Sequence, residues 1–395
     1  MRVLQLTVEP PWPAISGADI RNAAVAAACA GQGPVLTVSL AAGPAASLPE
    51  GVRAHVLSGH ETRRHWSFDY PEHPTRYAPK PSEITELRDL CDAFQPDAVI
   101  LEGVALGGFL PWLAERGLPL ILDMHNLESD LLHQTHAAKP WRKKLFSTGV
   151  AKASLAAARR DDETMARSVG QVWVCSQAEA RIVAAMAPRS DTRHIPNPIP
   201  DESVLALPIH VERYASLDIL FCGNLSYPPN VGAAVEIAGQ LTPALRRHKK
   251  PFSVTLAGRN PHKTLLRLPP QRELRIIDGP QDMRPLLAGA SFSVMPIRYG
   301  GGTRIKAIEA FCAGLVVVAT KKAVEGLDAM PGEHYIAAET ASEAANRLIE
   351  LSAAPHEAAA LAECARKWVT QNHAADRISV AIQSALRDVQ TRNAP

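Results

Sequence analysis

Short apolar runs alternating with helix-length stretches constrain this chain more than any other feature. Val3–Thr7, Val35–Leu40, Arg53–Leu57, Asp97–Leu101, Leu118–Leu122, Val172–Cys175 and Arg193–Ile195 read as strands. Between them, the Ala-rich stretch Asp19–Ala30 and the segment Ser82–Phe94 read as helices, the second opening on the capping pattern Ser82-Glu83-Ile84-Thr85-Glu86. Continuously apolar strands need cover on both faces, so strands spaced by helices predict βαβ units in a doubly wound parallel sheet.

The segment Ile195-Pro196-Asn197-Pro198-Ile199-Pro200 continues neither element, because its prolines lack donors and fix φ. The rhythm then restarts with strands at Asp218–Cys222, Phe252–Leu256, Leu274–Ile277, Phe292–Met295 and Leu315–Ala319, and helices from Pro229, Gln281 and Gly302. The pattern therefore predicts two α/β domains, residues 1–198 and 199–372. From Thr340 the chain is helical, and a terminal helix within 373–395 (Ala375–Val389) is expected to return to the first domain. Open α/β sheets bind ligands beyond the carboxyl ends of their strands, which puts the expected site in a cleft between the domains.

Composition removes several alternatives. A formal charge of +2 argues against nucleic acid as a partner and against disorder. Aromatics at 5% leave little for base stacking, and apolar residues at 46% suffice for sizeable cores. Cys29, Cys91, Cys175, Cys222, Cys312 and Cys364 form no C-x-x-C pair, which excludes a zinc ribbon and suits a reducing compartment. The start Met1-Arg-Val-Leu-Gln-Leu-Thr has no signal-peptide pattern and no run is long enough to span a membrane, so a cytoplasmic protein is expected. No H-E-x-x-H and no Asp-x-Asp occurs, and no metal is expected.

The densest chemical signal is Pro296-Ile-Arg298-Tyr-Gly300-Gly301-Gly302-Thr303-Arg304-Ile-Lys306-Ala-Ile-Glu309, between a strand and a helix. Glycines admit a ligand to the backbone, free amides of a first helical turn attract anions, and Arg304 and Lys306 add charge. Glu309, about two turns in, could reach a sugar hydroxyl; the plainer reading is a turn capped by Thr303. No G-K-[ST] follows the glycines and no G-x-G-x-x-G occurs, which counts against a P-loop NTPase and a dinucleotide dehydrogenase. His125, beyond Leu118–Leu122, is at a strand's carboxyl end, either as a reactive group or as a cap with Asp123 and Asn126. Asp19 either faces a ligand or favours the helix dipole, and Gly17 permits close backbone approach. The basic stretch Lys139-Pro-Trp141-Arg142-Lys143-Lys144-Leu145-Phe146 could rest on anionic lipid, or be a solvated helix face.

The run Gly300–Glu309, continued by Ala310-Phe-Cys-Ala-Gly314 and Glu325-Gly326-Leu327, resembles retaining GT-B glycosyltransferases of family 4, in a branch with a G-G-G-T-R-x-K-x-x-E signature. Ser16-Gly17-Ala18-Asp19-Ile20-Arg21-Asn22, Asp123-Met-His125-Asn126-Leu-Glu128-Ser129, Val174-Cys175-Ser176, Ile195-Pro196-Asn197 and Phe221-Cys-Gly223-Asn224 with Pro229-Asn230 resemble that branch in the same order. The resemblance implies the GT-B fold and transfer of a sugar from a UDP- or GDP-linked donor to a sugar, lipid-linked or small-molecule acceptor, without metal or cofactor. A peripheral contact with the inner face of a membrane would suit a lipid-linked acceptor.

Residue by residue, the resemblance makes Glu309 the second glutamate of an E-x7-E motif, holding the donor ribose, whereas the first glutamate falls on Gly301. His125 would organise the donor sugar at the reacting centre. Gly17, Gly223, Asn224, Arg259, Gly300, Gly301, Gly302, Thr303, Arg304 and Lys306 would line the donor; Asp19, Arg21 and Asn126 would face the acceptor. Where many relatives have Gly-Arg and a nearby Lys, this chain has Gly223-Asn224 and Asn230, so Arg304, Lys306 and Arg259 are the cations left for a diphosphate. A nucleotide-sugar epimerase-like enzyme and a non-catalytic GT-B binding subunit are the alternatives.

Overall fold

A computed structural model describes residues 1–58, 77–137, 141–301 and 304–392, apart from the side chains of 141–151. The chain forms two compact units. One comprises Met1–Pro198 and the segment from Ala375 onward; the other comprises Ile199–Gly300 and Arg304–Ala374.

The first unit holds β1 (Val3–Thr7), β2 (Val35–Ser39), β3 (Val52–Val56), β4 (Ala98–Glu102), β5 (Leu120–Met124), β6 (Gln171–Val174) and β7 (Asp191–His194). They form a parallel sheet in the order β3-β2-β1-β4-β5-β6-β7. Side chains alternate between its faces. Leu4, Leu6, Val99, Leu101 and Leu122 pack into one core, while Val3, Ile100, Ile121 and Trp173 pack into another. The second core is closed by Ile378, Ile382, Leu386 and Val389 of the helix Ala375–Arg392. Burying each such aliphatic side chain is worth about 1.5–3 kcal/mol, enough to fix that helix on this sheet.

The second unit holds β8 (Leu217–Cys222), β9 (Phe252–Gly258), β10 (Leu274–Asp278), β11 (Phe292–Met295), β12 (Val316–Ala319) and β13 (Ile336–Ala337), parallel in the order β10-β9-β8-β11-β12-β13. Each sheet reverses its strand order once, between β1 and β4 and between β8 and β11. Loops leave such a point in opposite directions and open a crevice beyond the strand ends.

Local departures from expectation have identifiable causes. The helix expected to start on a Ser82 cap is Pro81–Phe94, with Pro at its first position; Glu83 accepts from the Lys80 amide at 2.7 Å. β5 lies two residues later than expected, because Asp123 is buried inside it. The helix expected from Gly302 is Ile305–Cys312, with Arg304 at its N-cap. The short β13 was not anticipated. No described helix is long and apolar enough to cross a membrane.

Candidate active site

Two clusters of polar side chains lie at the two switch points. In the first unit, the carboxyl ends of β4 and β5 carry Glu102, Asp123 and His125, beside the helix Gly17–Ala30. Glu102 and Asp123 are 3% and 0% exposed. Arg21, itself 2% exposed, binds both Asp123 oxygens, Nε to Oδ2 at 2.7 Å and Nη2 to Oδ1 at 2.6 Å. Its Nη1 donates to the Ile195 carbonyl and to Asn197 Oδ1, both at 2.8 Å. Arg21, expected to face the acceptor, thus has its guanidinium engaged by buried groups of its own unit. It neutralises a buried acid and ties the start of the Pro-rich segment to β5.

His125 Nε2 lies 3.0 Å from Glu102 Oε2. Gln5 Nε2 donates to Glu102 Oε1 at 2.6 Å; the Asn22 amide, oriented to satisfy its neighbours, places its nitrogen 2.9 Å from His125 Nε2, 3.0 Å from Glu102 Oε2 and 3.1 Å from the Ala18 carbonyl. Burial and the charge of Asp123 push Glu102 up to about 7. Burial works against the charged form of His125, but the Glu102 hydrogen bond and the Asp123 charge outweigh it and raise the imidazole above its ordinary value. In the next helix, half-buried Glu128 is pushed up to about 7 by burial and by Asp162. Asp162 accepts from the Glu128 and Ser129 amides and so caps that helix.

Asp19 sits in a capping box with Ser16, its carboxylate accepting from the Ser16 amide at 2.9 Å. Gly17 is exposed at the helix start, and Asn126 Oδ1 is buried with no hydrogen-bond partner among the described residues. Glu102, Gln5 and Asn22 were not singled out from sequence. An acid closing a buried strand was the available signal for Glu102.

In the second unit, β8 ends at Cys222 and Gly223. Gly223 has φ +144°, and a Cβ there would stand 2.9 Å from Asn230 Nδ2 and 3.1 Å from Lys306 Nζ, so glycine leaves room for both. Lys306 Nζ donates to Asn230 Oδ1 and lies 4.8 Å above the Phe221 ring. Burial lowers this ammonium to about 8. Glu309, one turn further along the helix, accepts from Cys222 Sγ at 3.4 Å, and burial raises its carboxyl above the usual range. Strand β8 and the helix Ile305–Cys312 therefore bring together Gly223, Lys306 and Glu309, three of the residues expected to line a donor.

Gly300 has φ +116°, with Tyr227 OH and Pro229 Cγ 3.2 and 3.1 Å from the position of a Cβ. Arg304, expected to reach a diphosphate, is 8% exposed and folds back to donate to the Gly300 carbonyl at 2.8 Å, with Glu325 3.4 Å away. It shapes the glycine loop. Arg259 and Asn224 are exposed at the ends of β9 and β8, where Asn224 Oδ1 accepts from the Ser226 amide at 3.0 Å. Gly301 is half-buried; Gly302, Thr303 and the side chains of the basic stretch from Lys139 to Phe146 lie outside the described residues.

Glu102, Asp123 and His125 place three ligand atoms within 4.8 Å of one another. That set already holds the Arg21 guanidinium, which neutralises Asp123 where a cation would sit. Glu333, His334 and Cys364 form a similar group, but His334 Nδ1 accepts from the Met330 amide. The proton then sits on Nε2, toward Glu333, and blocks ligation there.

Two parallel, doubly wound sheets, each with charged side chains at its switch point, define a protein of two Rossmann-like units. Residues 16–198 match the model of a glycosyl transferase 4-like domain, and residues 216–354 that of glycosyl transferases group 1. The chain is a glycosyltransferase of the GT-B fold. Sucrose-phosphate synthase from Thermosynechococcus elongatus is similar over 100% of both chains, at 16% identity and a TM-score of 0.69. HepE from Anabaena, solved with UDP and glucose, is similar over 98% of this chain and 100% of its own, at 16% identity and a TM-score of 0.65. WaaG, a glycosyltransferase of lipopolysaccharide biosynthesis, is similar over 97% and 98%, at 15% identity and a TM-score of 0.62. No curated protein matches the sequence.

Proposed function

We propose that this chain is a retaining, metal-independent glycosyltransferase of family 4 that moves a sugar from a nucleotide diphosphate sugar to an acceptor hydroxyl. The observation that carries this reading is the pairing of Glu309 and Lys306 at the carboxyl end of β8, beside the backbone opened by Gly223. A carboxylate suits a ribose diol, and an ammonium with open backbone suits a diphosphate. As the glycosidic bond breaks, negative charge grows on the leaving phosphate, and fixed donors there are the largest catalytic term. His125 serves the sugar side, and the leaving phosphate takes the acceptor proton on the same face, so no second carboxylate is required.

UDP is the first donor base to try, since HepE was solved with UDP and glucose, with GDP second. Assembly of a polysaccharide or lipid-linked glycan in the cytoplasm, at the inner face of a membrane, is the proposed setting; the similarity to WaaG supports it. The test is a thermal-shift screen with UDP, GDP, dTDP and their sugars, with Glu309→Ala as control. One nucleotide at 100 times its Kd should stabilise the protein by about 2.7 kcal/mol, and the shift should vanish in the variant. No shift with any nucleotide would overturn the reading.

A further inference from the structure

Glu102 is more deeply enclosed than its place at a strand end requires. It is 3% exposed, and Gln5, Asn22 and His125 all converge on its carboxyl. Burying an acid is costly unless its oxygens are held, and here the holding also orients an imidazole. With Nε2 fixed against Glu102, Nδ1 is the ring nitrogen left without a protein partner among the described residues. His125 keeps 18% of its side chain exposed, so the ring remains accessible.

We propose that Glu102 is a positioning residue: it locks His125 with Nε2 inward, so that Nδ1–H is the donor presented to the reacting sugar–phosphate. The substrate rests on the transfer reading above; the pair itself does not. The surrounding groups act in both directions. Asp123, 3.9 Å from Nε2, favours the cation, whereas Arg21 opposes it. Glu128 from the next helix, Cys29 beside Glu102 and Cys175 against the His125 carbonyl complete the titratable surroundings. Among these titratable described groups Glu102 alone hydrogen-bonds the imidazole, beside the neutral Asn22 amide 2.9 Å from Nε2, so removing its charge has a signature that general repacking lacks.

The experiment uses the full chain as wild type, Glu102→Gln and Glu102→Asp. Histidine proton–nitrogen NMR reads the His125 tautomer and titration without substrate, and initial rates from pH 5.5 to 9.5 read turnover. Glu102→Gln should lower the pH at which His125 loses its proton and move the alkaline limb of kcat down with it. At pH 8, kcat should fall about 10- to 100-fold, within what a positioned acid–base group supplies, with the donor KM little changed. Glu102→Asp, which keeps the charge one methylene short, should fall between the two and decides the matter if the Gln variant does not fold. Unchanged His125 titration in a folded variant would overturn the proposal, as would an unchanged pH profile. Absence of turnover by the wild type would defeat the transfer reading instead, and the NMR titration would still decide the pair.

Discussion

At the β1/β4 switch point each charge meets a charge or an amide: Arg21 grips both oxygens of Asp123, and Glu102 is shared by Gln5, Asn22 and His125. At the β8/β11 switch point the partners are poorer. Among the described residues, Lys306 has one amide oxygen and a phenyl face, and Glu309 has one thiol. Burial accordingly pulls both second-unit groups toward neutrality, the ammonium down to about 8 and the carboxyl upward. A cluster satisfied from within holds geometry and gains little from a ligand. One satisfied from without keeps its electrostatic capacity for whatever binds. The first cluster is thus a preorganised scaffold around one histidine, whereas the second keeps buried charges that their described neighbours satisfy less fully.

The largest effect should come from breaking the satisfied cluster. Arg21→Met leaves the fully buried Asp123 without its cation, a loss that typically costs about 3–5 kcal/mol. Urea denaturation of the first unit's transition measures it. The double variant Arg21→Met/Asp123→Leu should recover much of that loss, because an apolar pair needs no compensation. A single variant within about 1 kcal/mol of wild type would erase the contrast, since the charge would then be tolerated without its partner.

This cluster also marks where the sequence stops being readable. β11, Phe292–Met295, matches its apolar run residue for residue, because nothing but aliphatic and aromatic packing decides it. β5 does not, since the strand continues through Asp123 to Met124, and an acid in mid-strand looks like an end until its guanidinium, far away in sequence, is in view. The same blindness hid Glu102 and the ion pair that holds Arg21. Long-range ion pairs convert residues that look solvent-facing into interior ones, and no local pattern records them. Lys306 and Glu309 were legible because their signal is local: glycines, then cations, then an acid about one helical turn beyond Lys306.

In the second cluster the predicted order of effects reverses, with binding affected more than stability. Lys306→Met should leave the melting temperature unchanged or raised, because it removes a desolvated charge, while weakening nucleotide binding about 10- to 100-fold, the worth of a hydrogen bond to a charged group. Calorimetry on both proteins separates the two readouts. An affinity equal to wild type would show that Arg259 or backbone amides hold the phosphates instead.

The smallest effect follows from the lowered ammonium. In the free protein Lys306 loses its proton near pH 8, whereas a bound anion favours the charged form. Below that pH the charge is already present and affinity should be flat. As pH rises above it, binding must first restore the proton, so the nucleotide Kd should rise to roughly tenfold its neutral value by pH 9. Lys306→Met should lack this dependence. A Kd in wild type that stays flat to pH 9.5 would mean that the ammonium is not where the anion binds, and the second cluster would then be a scaffold like the first.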